Sequence, residues 1–203
     1  MDIEEVLKRV NRLIEAGRHE DAIQVIDNAI ASGIKDKKLY TERGRRLQYL
    51  GRHSEAIESY NEGLLLEPLN ITLLFRKGYV LRKVRLYEEA IACFDSALSV
   101  DPEYSDALSQ KGFTLNEMGK YKSAIPIFDK VLKESPKNVK ILASKGIALS
   151  ETGEFEKAIN CFDKALAINA INAFVYYSKS IALRQMGKER EANATMAMIN
   201  RPW

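Results

Sequence analysis

The side chains able to do chemistry are few in this 203-residue chain: two histidines, His19 and His53, and two cysteines, Cys93 and Cys161. A nucleophile needs a base within hydrogen-bond reach, and phosphate chemistry needs a Gly-rich loop opening a helix. Neither pattern can be picked out, and no His/Cys/carboxylate cluster has the spacing of a metal site. Both histidines occupy a register held elsewhere by Tyr87, Tyr121 and Phe155, which reads as a packed ring in place of an aromatic one. Cys93 and Cys161 share one register two periods apart. Stacked helix pairs are spaced by about 10 Å, so these sulfurs should lie about 20 Å apart, whereas a disulfide needs Cα atoms within about 7 Å. They read as small apolar residues. These residues argue against an enzyme, a resident metal and an organic cofactor.

What remains with chemical potential is cationic and aromatic. Arg43, Lys77, Lys111, Lys145 and Lys179 recur every 34 residues, and a basic stripe of this kind can follow a nucleic-acid backbone. Glu88, Glu89, Asp95, Asp129 and Asp163 are interleaved with it. Stems that pack while the ammonium reaches water explain the stripe without a nucleic acid, which is not the expected partner. Net charge is only +3, with 16 basic and 18 acidic residues in 1–104 against 15 and 10 in 105–203. Apolar residues make up 46% and charged ones 29%, the balance of a folded, helix-rich chain. No apolar run approaches the roughly 18–20 residues of a membrane span. The opening MDIEEVLKRV carries acid where an export signal carries base. A cytoplasmic location without membrane contact is the expectation.

The elements that position these residues follow from the repeat. Stacked at a period of 34 without gaps, the sequence aligns Gly44, Gly78, Gly112 and Gly146. It likewise aligns Leu47, Leu81, Leu115, Leu149 and Leu183, and Ala22, Ala56, Ala90, Ala124, Ala158 and Ala192. Tyr60, Phe94, Phe128 and Phe162 share a register with Ile26 and Met196, and Pro68, Pro102 and Pro136 close successive units. The units are 3–36, 37–70, 71–104, 105–138, 139–172 and 173–203, one solenoid domain over 1–203. Each predicts two amphipathic helices, broken at Gly51, Arg85, Gly119 or Gly153, where a left-handed residue suits the helix end. Asn70, Asn138 and Asn172 can cap the following helices, and Asp2 with Glu5 forms a candidate capping box. Pro126 should cause a mild kink rather than a break. The glycines are expected to oppose the alanines, and the aromatics to wedge against the next unit's first helix. A unit cannot bury both of its apolar faces alone, so stability is a sum over neighbours.

On Gly78, Tyr87, Ala90, Phe94, Ala97, Pro102 and their equivalents one period away, the chain resembles the tetratricopeptide repeat family over nearly its full length. Lys77-Gly78, Lys111-Gly112 and Lys145-Gly146 are similar to a flavour frequent in prokaryotic and archaeal proteins. The resemblance implies an all-α, right-handed superhelical solenoid of about six helix-turn-helix repeats, whose first helices line a peptide-binding groove. Carried over by position, that groove would include Lys38, Arg45 and Tyr49, then Phe75, Tyr79, Arg82 and Lys83. Further along it would include Phe113 and Asn116, then Ile147 and Tyr177. The pattern of the family's chaperone-tail clamp is met only at Asn11 and Arg76, which disfavours that ligand.

Aromatics beside arginine make binding hot spots, so Phe75, Tyr79 and Phe113 are expected to face the groove, flanked by Arg45, Arg82 and Lys83. The expected partner is another protein, held by an acidic and apolar segment rather than as a small-molecule substrate. A self-assembling module is the alternative. Ser180, Asn193 and Asn200 make the last unit polar like a cap, yet Met196, Met198, Ile199 and Trp203 leave apolar surface through which copies could stack.

Overall fold

The chain folds as successive helix pairs that follow the 34-residue period of the sequence. The computed structural model describes residues 2–200, and Trp203 lies outside them. Among the described residues there are twelve α-helices and no strand. They are α1 (Ile3–Glu15), α2 (His19–Ala31), α3 (Lys37–Tyr49), α4 (His53–Leu66), α5 (Ile71–Lys83) and α6 (Tyr87–Val100). The series continues with α7 (Ser105–Glu117), α8 (Tyr121–Glu134), α9 (Val139–Glu151), α10 (Phe155–Ile168), α11 (Ala173–Gln185) and α12 (Glu189–Ala197), closed by a 3-10 turn at Met198–Asn200.

The ends of these helices follow local chemistry. Asn70 accepts from the Leu73 N–H at 3.1 Å, and Asn138 and Asn172 accept from the Ile141 and Val175 N–H groups at 3.2 Å. Asp36 caps α3 in a similar way, accepting from Lys38 at 2.7 Å. Asp2 stands at the start of α1 with extended backbone, but its carboxylate makes no capping bond, so the expected box is absent. Gly51, Gly119 and Gly153 take positive φ. Arg85 adopts the same conformation at φ 65°, and its turn closes like the glycine ones, with Leu86 N–H donating to Leu81 C=O at 2.9 Å. A side chain pays steric strain there that glycine avoids. Pro126 is the sixth residue of α8, past the first four N–H groups that lack helical partners anyway. It therefore removes an internal bond, yet the helix runs on to Glu134.

The fold divides into two compact units, Met1–Ala107 and Leu108–Trp203. In the first, α1 to α6 pack in sequence order. Its core passes from Val6, Val10, Ile26 and Leu39 to Leu47, Ala56, Tyr60, Leu73 and Val80, and then to Leu81, Phe94, Ala97 and Ala107. In the second, α8 to α12 also pack in order around Leu142, Leu149, Phe162, Ala165, Val175 and Ala182. Cys93 and Cys161 are buried free thiols, and burial pushes both thiol pKa values up.

The close approach within each helix pair differs from the expected glycine–alanine contact. The glycines oppose the rings of their own unit's second helix. A Cβ placed on Gly44 would lie 2.3 Å from the Tyr60 ring, and on Gly78, Gly112 and Gly146 it would lie 2.7, 2.5 and 2.6 Å from Phe94, Phe128 and Phe162. All four rings are completely buried, each contributing about 1.5–3 kcal/mol by area removed from water. Tyr60 also packs with Leu73 and Val80 of α5, so that ring reaches the next first helix as well.

The basic stripe is largely neutralised. Arg43 and Lys179 reach back 16 residues to Asp27 and Asp163, each at 2.6 Å, and Lys145 pairs with Asp129 in the same register. At the equivalent position opposite Lys77 stands Asn61, which cannot form the ion pair.

Three outcomes follow for stability, each read by urea denaturation. Gly146→Ala forces a methyl into the Phe162 ring and lowers stability by about 1–3 kcal/mol, the usual cost of overpacking. Combined with Phe162→Leu, its cost shrinks in a double-mutant cycle. Arg85→Gly relieves the left-handed strain and raises stability by about 1 kcal/mol. Asn61→Asp completes the ion-pair register with Lys77 and adds about 0.2–1 kcal/mol at low salt, falling towards zero in 1 M NaCl.

Candidate functional site

In the first unit the first helices carry a basic region on α3 and an aromatic region on α5. In the basic region, Glu42 and Arg46 lie one helical turn apart on α3, with Arg45 between them. Arg45 donates to Glu42 at 2.6 Å, and the Arg46 guanidinium stands 3.9 Å from the other Glu42 oxygen. Arg46 is only 9% exposed, and its buried Nε has no hydrogen-bond partner. Burial is the main influence lowering its pKa, opposed by Glu42 and reinforced by Arg45 and Arg76. Below this cluster the buried Tyr60 hydroxyl donates to Gln48 at 3.2 Å. Burial pushes the Tyr60 phenol up to about 12, with Arg76, Arg45 and Arg46 pulling the other way.

The aromatic region is centred on α5. Phe75 is half-buried, its ring 5.4 Å from Tyr104, 6.3 Å from Phe94 and 6.5 Å from Tyr79. It is thus as much wall as contact surface. Tyr79, also half-buried, is the ring with cations beside it: the Arg82 guanidinium and the Lys83 ammonium stand 5.7 and 5.6 Å from its ring centroid. Such cation–π contacts contribute about 0.5–1 kcal/mol each at exposed sites and hold both cations beside the ring. Lys38 is exposed and lines a cavity of about 420 Å³ with Leu7, Asn11, Thr41, Glu42 and Thr72. Tyr49 stands apart from these groups, 70% exposed, with its ring 4.2 Å from that of His19. That contact gives His19 the packing role read from the sequence.

In the second unit the expected exposed aromatic is a buried one. Phe113 is 8% exposed, stacked 5.8 Å from Phe128 and covered by the Lys140 ammonium at 4.4 Å from its centroid. Asn116 donates to the Ser144 carbonyl at 2.9 Å, bridging α7 to α9. Ile147 and Tyr177 come together with Phe174 and Ile181 around a cavity of about 190 Å³. Phe174 and Tyr177 are half exposed there, at 58% and 50%.

Sequence reasoning missed Arg46. Its register holds Val80, Thr114, Ala148 and Ala182 in later units, all completely buried. A lone guanidinium in a series of apolar or small residues was the available signal. Among the described residues no group of three His, Cys, Asp or Glu could hold a metal ion. No helix among them is long and apolar enough to cross a membrane.

Comparison with known proteins bears on the fold. Tetratricopeptide-repeat family models match residues 41–107, 75–139 and 115–173, which together span 41–173. No curated protein sequence matches the chain. Among solved structures, a tetratricopeptide repeat protein from Parabacteroides merdae is similar with a TM-score of 0.85 at 22% identity, over 97% of this chain and 78% of that one. MamA from Desulfovibrio magneticus RS-1 is similar with a TM-score of 0.79 at 23% identity, over 81% of this chain and 94% of that one. At these identities the likeness is one of fold. Together with the family matches across most of its length, the recurrent glycine–ring pairs place this chain in the tetratricopeptide repeat family, whose members are in general non-catalytic scaffolds for protein partners.

Proposed function

We propose that the chain captures a partner protein by seating an extended segment of acidic and apolar character along its first helices. The observation that carries this reading is the Tyr79 ring with Arg82 and Lys83 held beside it at 5.7 and 5.6 Å. A half-buried ring bordered by cations offers apolar area and charge attraction to the same stretch of peptide. Arg45 and the exposed Lys38 extend the basic character along α3. In the second unit, Ile147, Phe174 and Tyr177 supply an apolar lining suited to aliphatic side chains. Tyr49 and Phe113 contribute less. One packs against His19, and the other is covered by Lys140.

Steering by the basic wall makes capture salt-dependent, whereas apolar seating does not. In an affinity pull-down from native lysate, Tyr79→Ala and Arg82→Glu each reduce partner recovery at least tenfold, while circular dichroism and melting temperature stay at wild-type values. Undiminished recovery by both variants would remove this face as the docking surface. Light scattering over a dilution series tests the self-assembling alternative, for which the half-buried Met198 and Ile199 are the available apolar contacts. A mass that rises with concentration would favour stacking of copies over peptide capture.

A further inference from the structure

We infer that the three guanidinium groups of Arg45, Arg46 and Arg76 form a seat for a doubly charged phosphoryl group carried by a peptide. This deepens the peptide-capture reading and rests on it, naming the chemistry of one anchoring residue in the partner. Three observations lead to it.

The first is an imbalance of charge at close range. Glu42 is the carboxylate that pairs with Arg45 at 2.6 Å and with Arg46 at 3.9 Å. Among the described residues no carboxylate is paired with Arg76, which lies within electrostatic range of Arg46 and of the Tyr60 phenol, and its Nε is buried without a hydrogen-bond partner. Three cations against one anion leave a local charge of about +2. Of the groups around the cluster, Tyr60 and Gln48 present neutral oxygens, and Asp106 and Asp101 act on the Tyr104 phenol, which Arg76 also influences, without an ion pair to any of the three guanidinium groups.

The second is burial. Arg46 is nine-tenths buried, yet its Nε finds no partner. Buried guanidinium is ordinarily retained only where its donors are satisfied. Arg46 occupies a register of buried small or apolar residues, so packing alone does not call for an arginine there.

The third is access. Arg76 is half-buried, and the Arg45 side chain is 40% exposed, so the cluster can be reached from solvent. Glu42 also lines the adjoining cavity of about 420 Å³, which can take the peptide on either side of the charged group. A guanidinium fork matches phosphate oxygens two at a time. A phosphate monoester carries close to two negative charges at neutral pH, which balances the local excess. A single carboxylate or a sulfate ester carries one and leaves it half compensated. A nucleic-acid phosphodiester is also a monoanion.

The test uses the full chain and isothermal titration with phenyl phosphate, phenyl sulfate and inorganic phosphate. A short phosphoserine peptide and its unphosphorylated twin complete the set. Phenyl phosphate should bind at least tenfold more tightly than phenyl sulfate, which has the same shape and half the charge. The phosphopeptide should bind more tightly than inorganic phosphate, and its unphosphorylated twin should not bind measurably. Arg76→Gln should weaken phosphoryl binding tenfold or more with an unchanged melting temperature, and Arg76→Lys should fall between, keeping the charge and losing the fork. Arg46→Met provides a second variant that keeps the buried stem. Equal affinity for the phosphate and sulfate esters, or undiminished binding by Arg76→Gln, would overturn the seat. So would inorganic phosphate matching the phosphopeptide, or a single-stranded RNA outcompeting it. Partner capture that is lost in Tyr79→Ala but kept in Arg76→Gln would overturn this seat alone and leave the peptide-capture reading intact.

Discussion

The contact on which the architecture depends is that of an aromatic ring with a missing side chain. In four successive units a ring on the second helix lies where the Cβ of a first-helix residue would otherwise be, so only glycine fits. The helices come together until ring and backbone touch, and the ring is left without solvent exposure. The end units change both residues of the register: Val10 and Ile26 stand there in the first, buried in one cluster, and Ser180 and Met196 in the last. Ser180 is completely buried and spends its hydroxyl on the Tyr177 carbonyl, which satisfies the polar atom that glycine does not have.

With the pair geometry set in this way, the outward register of the first helices is free to vary, and it does so between the two units. In the first it is occupied by guanidinium groups and by Phe75 and Tyr79, and in the second by Ile147, Phe174 and Tyr177 around an apolar hollow. Three of the recurrent cations on the other register, Arg43, Lys145 and Lys179, are spent on carboxylates 16 residues earlier, whereas Lys77 has Asn61 at that place.

The helix pairing and the asparagine caps were legible because they are local: asparagine before a helix and glycine after one act within a few residues. Even Arg85, the exception in its register, takes the glycine conformation dictated by the turn it closes. Contacts between helices were less legible. Periodicity says that Gly146 faces inwards but not whether it meets Ala158 or Phe162, since both lie on the inner face of α10. Phe113 and Tyr79 share a register, yet one is buried because Lys140, on a different helix, lies across it. Arg46 was hidden by the opposite effect, a charged residue in a register that elsewhere holds small or apolar residues. Tyr79, Arg82 and Lys83 stand together as a cluster, while Tyr49 and Phe113 answer to neighbours that a repeat pattern does not reveal.

The order of packing has a kinetic corollary. Within each compact unit the helices that touch are almost always consecutive in the chain, so little loop entropy is spent before a contact forms. A low mean sequence separation between contacting residues favours folding in microseconds to milliseconds. Each ring can also begin to pack as soon as its own two helices have left the ribosome, and its burial is completed when the next first helix follows.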